Sequence, residues 1–231
     1  MVKTVCQIPI KEASERVSKK NFRKVAGKRL YQHLFDKLKG SNIFDRIIVD
    51  TDNYKLIDEA KKKGFDTLHR PSYLTQSWVH GNDLIKHLLR VLSDNNQHYD
   101  YIFQLHVTAP FLKLETIQKI RDKLVTSNYD SVFTATKEIG WYWSNGKPVN
   151  YYPLNPPKES TCYIYRDTTG LYGISFNSFT KYGSRIGARP YVYEIDEIET
   201  LDFNESSDFD KVDKLFAQGK LEGYIIWKLG L

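Results

Sequence analysis

The chain has only two cysteines, Cys6 and Cys162, among 231 residues. That number excludes a disulfide framework, and no Cys/His spacing fits a zinc site. Cys6 lies inside an apolar run, where a small buried hydrophobe is expected rather than a nucleophile. No apolar stretch approaches the roughly 20 residues that span a membrane. The first apolar run is short and breaks at Lys11, unlike a signal peptide, so a cytoplasmic location is expected. Internal repeats and low-complexity segments are missing too. Nor does charge of one sign dominate: Lys plus Arg number 34 and Asp plus Glu 28, a formal net charge of +6. So modest and diffuse an excess suits an anionic small molecule, a nucleic acid or neither. Against nucleic acid, cations alternate with acids beyond residue 30 and no nucleic-acid module is recognisable.

What is present is enough apolar material for one sizeable core. Hydrophobic residues make up 41% of the chain, with 16 Tyr and 12 Phe. Residues 1–231 therefore read as a single domain carrying an elaboration. Val2 to Ile10 reads as a buried strand, Arg46 to Asp50 as a second, "FDTLHR" as a third, and Tyr99 to Val107 as a central one. Helices are expected between them, over Arg29 to Lys39, Tyr54 to Lys63, Asn82 to Ser93 and Leu114 to Ser127, followed by a strand at Asp130 to Thr136. This alternation predicts an α/β fold, a mostly parallel sheet with helices on both faces and ligands beyond the carboxyl ends of its strands.

The pattern changes at Glu138. The stretch "EIGWYWSNGKPVNYYPLNPPKEST" is aromatic and proline-rich, with an Asn145-Gly146 pair that favours a hairpin turn. Trp141, Tyr142, Trp143, Tyr151 and Tyr152 are costly to leave in water, so a protruding, hairpin-rich elaboration over 138–190 is expected to pack on a second copy in a homodimer. Two more strands, "LYGISF" and "YVYEI", precede a closing helix over Asp208 to Gln218. That helix is expected to be capped by Ser207, stopped by Gly219, and to turn Phe209, Val212, Leu215 and Phe216 inward.

The first strand runs into a basic loop. Lys11, Arg16, Lys19, Lys20, Arg23, Lys24, Lys28 and Arg29 follow Ile10 against only Glu12 and Glu15. It is neither a Walker A loop nor G-x-G-x-x-G, since it lacks the glycines. Backbone N–H groups, Ser14 and the cations of such a loop can still hold a polyphosphate.

"IPIKEASERVSKKN" resembles the N-terminal signature of the sugar-acid cytidylyltransferases, the enzymes that make CMP-activated acylneuraminate, KDO, pseudaminate and related acids. Its pattern is approximately I-P-A-R-x-G-S-K-R-x-x-x-K-N; Ile8, Pro9, Ser14, Arg16, Lys20 and Asn21 match in register, and Lys11 keeps the charge of an arginine. Glu12, Ala13 and Glu15 depart from it. "IIVDTD", "HRPSYL", "HGNDLI", "HVTAPFL", "TTGLYGI" and "IETLDFNESSDF" resemble further family landmarks in the family order. Together they span residues 5 to about 216.

The resemblance implies a nucleotide-diphospho-sugar-transferase-like, Rossmann-like fold in three layers, and transfer of CMP from CTP to a sugar acid with Mg2+ as cofactor. Lys11, Arg16 and Lys20 would hold the phosphates, with Pro9, Ile10, Ser14 and Asn21 shaping the loop. Asp52, Arg70, Asn82 and Thr108 would complete the nucleotide side. His106, standing where the family has glutamine, Pro110 and Arg166 would meet the acceptor. Asp202 would hold the metal, with Asn204 where many members have a second aspartate. The departures at Glu12, Glu15, His106 and Asn204 leave open a different nucleotide, an unusual acceptor or an inactive nucleotide-binding subunit.

Overall fold

The computed structural model describes residues 2–224. In chain order the elements are β1 (Thr4–Ile10), β2 (Lys24–Val25), β3 (Lys28–Arg29), α1 (Leu30–Leu38), β4 (Arg46–Thr51), α2 (Tyr54–Lys62), β5 (Asp66–His69), α3 (Gly81–Asp94), β6 (Tyr101–Leu105) and α4 (Leu114–Thr126). They continue with β7 (Ser131–Ile139), β8 (Trp143–Ser144), β9 (Lys147–Pro148), β10 (Tyr163–Ser175), α5 (Phe176–Tyr182), β11 (Pro190–Glu194) and α6 (Ser206–Ala217).

Alternation along the strands decides what covers each face. Cys6, Ile8 and Ile10 of β1 and Phe103 and Leu105 of β6 pack under α1, α2 and α4, against Tyr31, Leu34, Phe35, Leu56, Ile117 and Ile120. Val5, Ile48 and Ile102 point the other way, onto Ile85, Leu88 and Leu92 of α3 and Phe179 of α5. The sheet has seven strands in the order β11-β7-β10-β6-β1-β4-β5. All neighbours are parallel except β10, which is antiparallel to both β6 and β7. The expected sheet, its helices on both faces and the central place of β6 are what the structure has.

Three elements differ from expectation. The strand expected over "LYGISF" begins at Tyr163 rather than Leu171, because the half before a bulge between Asp167 and Tyr172 pairs with β7 outside the core and has no buried face to announce it. Phe176 starts the short helix α5, which buries only Phe179 and so shows no apolar period. The segment 138–190 is accordingly not one elaboration. Its second half supplies β10 to the main sheet, and what projects is an arm formed by the distal ends of β7 and β10. The arm carries the β8–β9 hairpin, whose turn at Asn145 and Gly146 takes φ of 51° and 75°, the positive values a type I′ turn needs.

The closing helix also starts differently. It begins at Ser206 with Glu205 as its N-cap, not Ser207; the Asp208 carboxylate accepts from the backbone N–H groups of Asn204 and Glu205, both at 2.7 Å. Phe209 and Val212 are buried, Leu215 packs partly, and Phe216 is exposed rather than inward. This helix seats a third apolar cluster that includes Val17 and Val25 of the basic loop. Burying two valines, at about 1.5–3 kcal/mol each, pins a loop whose charge alone would leave it solvated.

Candidate functional site

A cavity of about 640 Å³ opens at the carboxyl edge of β1, β5 and β6. The basic loop forms one wall. Its 3₁₀ turn, Lys20–Phe22, follows Lys19 in the left-handed region (φ 49°), and Asn21 Nδ2 donates to the Lys11 carbonyl at 3.0 Å, closing the loop on itself. Asp52 Oδ1 accepts from the Glu12 N–H at 2.9 Å and holds the outer side. Lys11, Arg16 and Lys20 line the cavity with Ser14, Asn21 and Pro9. The other cations face elsewhere: Arg23 stacks on Phe209, Lys28 pairs with Asp36 at 2.7 Å, and Arg29 reaches the Tyr31 hydroxyl. Glu12 turns away from the cavity, whereas Glu15 stays on its rim, 4.0 Å from Lys11.

Opposite the loop, the segment before α6 brings in Asp202 and Asn204. The Phe203 N–H donates to the Thr108 carbonyl at 3.0 Å, tying this segment to the loop after β6. Asn204 Oδ1 accepts from Arg16 at 2.7 Å and from Lys20 at 3.4 Å, and its Nδ2 donates to Asp202 Oδ2. Turning the amide round would set its NH2 against two cations, so the neighbours dictate this orientation. Burial raises the Asp202 carboxyl above its ordinary pKa, opposed by the Thr108 hydroxyl and by Lys20. Burial also lowers Lys20, opposed by Asp202.

A divalent cation fits Asp202, whose Oδ1 is buried without a hydrogen bond of normal geometry. It does not fit Asn204 as oriented, since that oxygen already serves Arg16 and Lys20. Among the described residues no group of three or more His, Cys, Asp or Glu is set to hold a metal. An ion here would take its remaining ligands from water and phosphate oxygens, as magnesium commonly does.

The floor is a buried polar seam. Arg70 Nε donates to Asp50 Oδ1 at 2.9 Å, with both side chains almost fully buried. Asp50 Oδ2 accepts from Gln7 Nε2 at 2.7 Å, and Gln7 Oε1 accepts from Gln104 Nε2 at 3.0 Å. Gln104 Nε2 also donates to the Gly81 carbonyl, which turns Gln104 Oε1 the other way. That oxygen accepts from Arg185 Nη1 at 2.7 Å and lies 3.3 Å from His106 Nε2. His106 therefore carries its proton on Nε2 and offers Nδ1 as an acceptor. Burial, then Arg185, Lys20 and Arg70, push its pKa down to about 3, so the ring is neutral.

The loop after β6 is braced from below. Lys37 of α1 donates to the carbonyls of Pro110 and Leu112, and burial pushes its ammonium down to about 7. Thr169, at the β10 bulge, has φ of +57°, a strained conformation for a β-branched residue that costs on the order of 1–3 kcal/mol. Its N–H is held by Asp167 at 2.7 Å and its hydroxyl faces Asp202 at 3.4 Å.

Of the residues singled out in the sequence, Pro9, Lys11, Ser14, Arg16, Lys20, Asn21, Arg70, His106, Thr108, Asp202 and Asn204 meet in this cavity. Five others do not line it. Ile10 is buried in the core, and Pro110 serves through its carbonyl. Asp52 holds the loop from behind, while Asn53 caps α2. Asn82 accepts from the Arg185 N–H at 3.0 Å. Arg166 is bonded to Glu138 at 2.5 Å and borders an adjoining depression. Sequence reasoning missed Gln7, Asp50, Gly81, Gln104, Thr169 and Arg185. The one local signal was "YGSRIGARP", where two glycines bracket an arginine between a helix and a strand.

The exposed arm collects aromatic surface. Trp141 stacks on Tyr151 at 5.3 Å, and Trp143 Nε1 donates to the Tyr151 hydroxyl at 2.7 Å. Trp143 nonetheless remains 56% exposed and Leu154 85%. No helix among the described residues is long and apolar enough to cross a membrane.

A family model described as Cytidylyltransferase matches residues 5–150. The chain is 26% identical over 137 residues to a pseudaminic acid cytidylyltransferase of Campylobacter jejuni, covering 59% of each chain. It is 25% identical over 186 residues to a 3-deoxy-manno-octulosonate cytidylyltransferase of Rickettsia bellii, covering 76% of this chain and 73% of that one. The match thus spans under two thirds of the length of the Campylobacter relative. Among solved structures, a CMP:2-keto-3-deoxy-manno-octonic acid synthetase complexed with CTP superposes with a TM-score of 0.68 at 16% identity, over 94% of this chain and 99% of that one, a likeness of fold.

Proposed function

Because the chain belongs to the cytidylyltransferase family, we propose that it transfers CMP from CTP to a sugar acid and releases pyrophosphate. The observation that supports this most is the convergence of Lys11, Arg16 and Lys20 on one cavity, facing Asp202 across it. In the reaction a hydroxyl oxygen of the acid forms a bond to the α-phosphorus, and the bond from that phosphorus to the bridging oxygen of the β-phosphate breaks. The hydroxyl proton goes to solvent and negative charge grows on the departing pyrophosphate. Fixed cations stabilise that charge best when they are oriented beforehand, and the loop orients them through Asn21, Val17 and Asp52. Asp202 would hold Mg2+, which when bound neutralises phosphate oxygens. Arg70 enters the cavity from the buried seam on the nucleotide side, while Asn204 aligns Arg16 with Lys20.

The test is pyrophosphate release from CTP and Mg2+ with N-acetylneuraminate, 3-deoxy-manno-octulosonate, pseudaminate and legionaminate in parallel. Release with one acid is expected and names the acceptor. Silence with all four, CTP still binding by calorimetry, would overturn the reading in favour of a nucleotide-binding protein.

The same reading includes a homodimer joined through the aromatic arm, supported by the exposure of Trp143 and Leu154. Sedimentation velocity at tens of micromolar should give a dimer that Trp143→Ser with Leu154→Ser dissociates. A monomeric wild-type protein would end the idea.

A further inference from the structure

Arg185 is held in place more thoroughly than any surface arginine requires. It sits on the 183–189 loop between α5 and β11, and that loop is fastened through its backbone. The Arg185 N–H donates to Asn82 Oδ1 at 3.0 Å, Gly187 N–H to the Ser131 hydroxyl at 2.9 Å, and the N–H groups of Ala188 and Arg189 to the two oxygens of Asp130 at 2.8 and 3.0 Å. A Cβ at Gly187 would collide with the Asp130 carboxylate, and one at Gly81 with the Arg185 guanidinium and Gln104 Oε1. Both glycines are therefore conditions for the arginine's position.

The guanidinium lies 3.6 Å from the centre of the Tyr172 ring and donates Nη1–H to Gln104 Oε1. It lines the cavity, and no carboxylate pairs with it among the described residues. Arg70, by contrast, is neutralised by Asp50, and Arg166 by Glu138 outside this cavity. An arginine has five N–H donors in a planar fork. An oriented fork without an acid partner is a site for a planar anion, which a carboxylate meets with two parallel hydrogen bonds. Beside it, on the same Gln104 oxygen, stands His106, a neutral ring with a free acceptor nitrogen suited to a hydroxyl.

We propose that Arg185 binds the carboxylate of the acceptor acid, with His106 accepting from a hydroxyl next to it. This rests on the reaction proposed above. The phosphate-facing cations belong to the loop after β1, whereas Arg185 belongs to the β10 side of β6, so anion recognition is divided between two walls. Arg185 is a specificity determinant for the acid, and its loss should be felt by that substrate alone.

The experiment compares wild type, Arg185→Gln and Arg185→Lys, using N-acetylneuraminate, 3-deoxy-manno-octulosonate, pseudaminate and legionaminate and the methyl ester of whichever acid turns over. Losing a charge-assisted pair should raise KM for the acid about 10- to 100-fold in Arg185→Gln. KM for CTP and the CTP-induced rise in Tm should stay at the wild-type value, and the preference of acid over ester should collapse. Arg185→Lys should recover part of that preference. An unchanged KM for the acid, or a rise in KM for CTP instead, would overturn the assignment while leaving the proposed reaction intact. Calorimetry with the same acids separates the opposite case. If wild type binds an acid without releasing pyrophosphate and Arg185→Gln does not bind it, the reaction falls and the assignment stands. If wild type binds none of the acids, both fall.

Discussion

Lys20→Met should lower turnover about 10²–10³-fold while leaving CTP affinity within a few-fold of wild type. The side chain is partly buried, 3.4 Å from Asn204 Oδ1, on a 3₁₀ turn that Asn21 closes. It contributes most where charge grows during the reaction, since Lys11 and Arg16 remain to hold the ground-state phosphates. Single-turnover rates and calorimetric CTP titration measure the two effects separately; a rate within threefold of wild type would remove Lys20 from the chemistry. The pH profile carries a second signature. Burial holds the Lys20 ammonium below its ordinary pKa, so the protein loses this cation at a lower pH than it would a solvated lysine. Activity should therefore decline on the alkaline side, and Lys20→Arg, which keeps its charge, should move that decline to higher pH.

The second large effect concerns stability. Asp50→Ala should destabilise the protein by about 3–5 kcal/mol, because Arg70 would be left buried and unpaired. At about 2–4 °C per kcal/mol for a chain of this size, Tm should fall by roughly 6–20 °C. Asp50 is fully buried and Arg70 is 3% exposed, so water cannot replace the lost partner. Gln7 would lose its acceptor as well. Adding Arg70→Met to Asp50→Ala should restore part of the loss, since the uncompensated charge is then gone. Scanning calorimetry of the two variants decides it. A fall under about 3 °C for Asp50→Ala would mean that solvent reaches the pair.

Where apolar period was strong, the sequence was readable. Leu30, Leu34 and Leu38, or Leu84, Ile85, Leu88 and Leu92, announce helices because each buries one stripe. The basic loop was readable for another reason: its cations cluster next to a buried strand, and a motif supplies the register. The position of β10 was not readable, since its insertion beside β6 depends on pairings from Leu105–Leu171 to Tyr101–Ser175, 66 to 74 residues apart in sequence. Arg185 was hidden likewise. Its role arises from Tyr172, Gln104 and Asn82, three residues brought together only by the folded sheet. Asn82 and Asp52 were singled out for the nucleotide side, but each accepts from a backbone N–H of a neighbouring loop and lies outside the cavity lining. A motif gives position along the chain and not the direction of a side chain.

The antiparallel strand between β6 and β7 also constrains how the chain can assemble as it is made. The block β6-β1-β4-β5 is complete once Leu105 has emerged, but β6 has its neighbour on the other side only after Tyr163–Ser175 follows. β7 is synthesised in the interval, but its native partners are β10 and β11, so it does not fill that place in the finished sheet. During synthesis the edge of β6, with Ile102, Phe103 and Leu105, is an open row of N–H and C=O groups flanked by apolar side chains, the surface on which nascent chains associate wrongly. The strand that carries Thr169 to the cavity is thus also the strand that closes the sheet's exposed interior edge, and it arrives late.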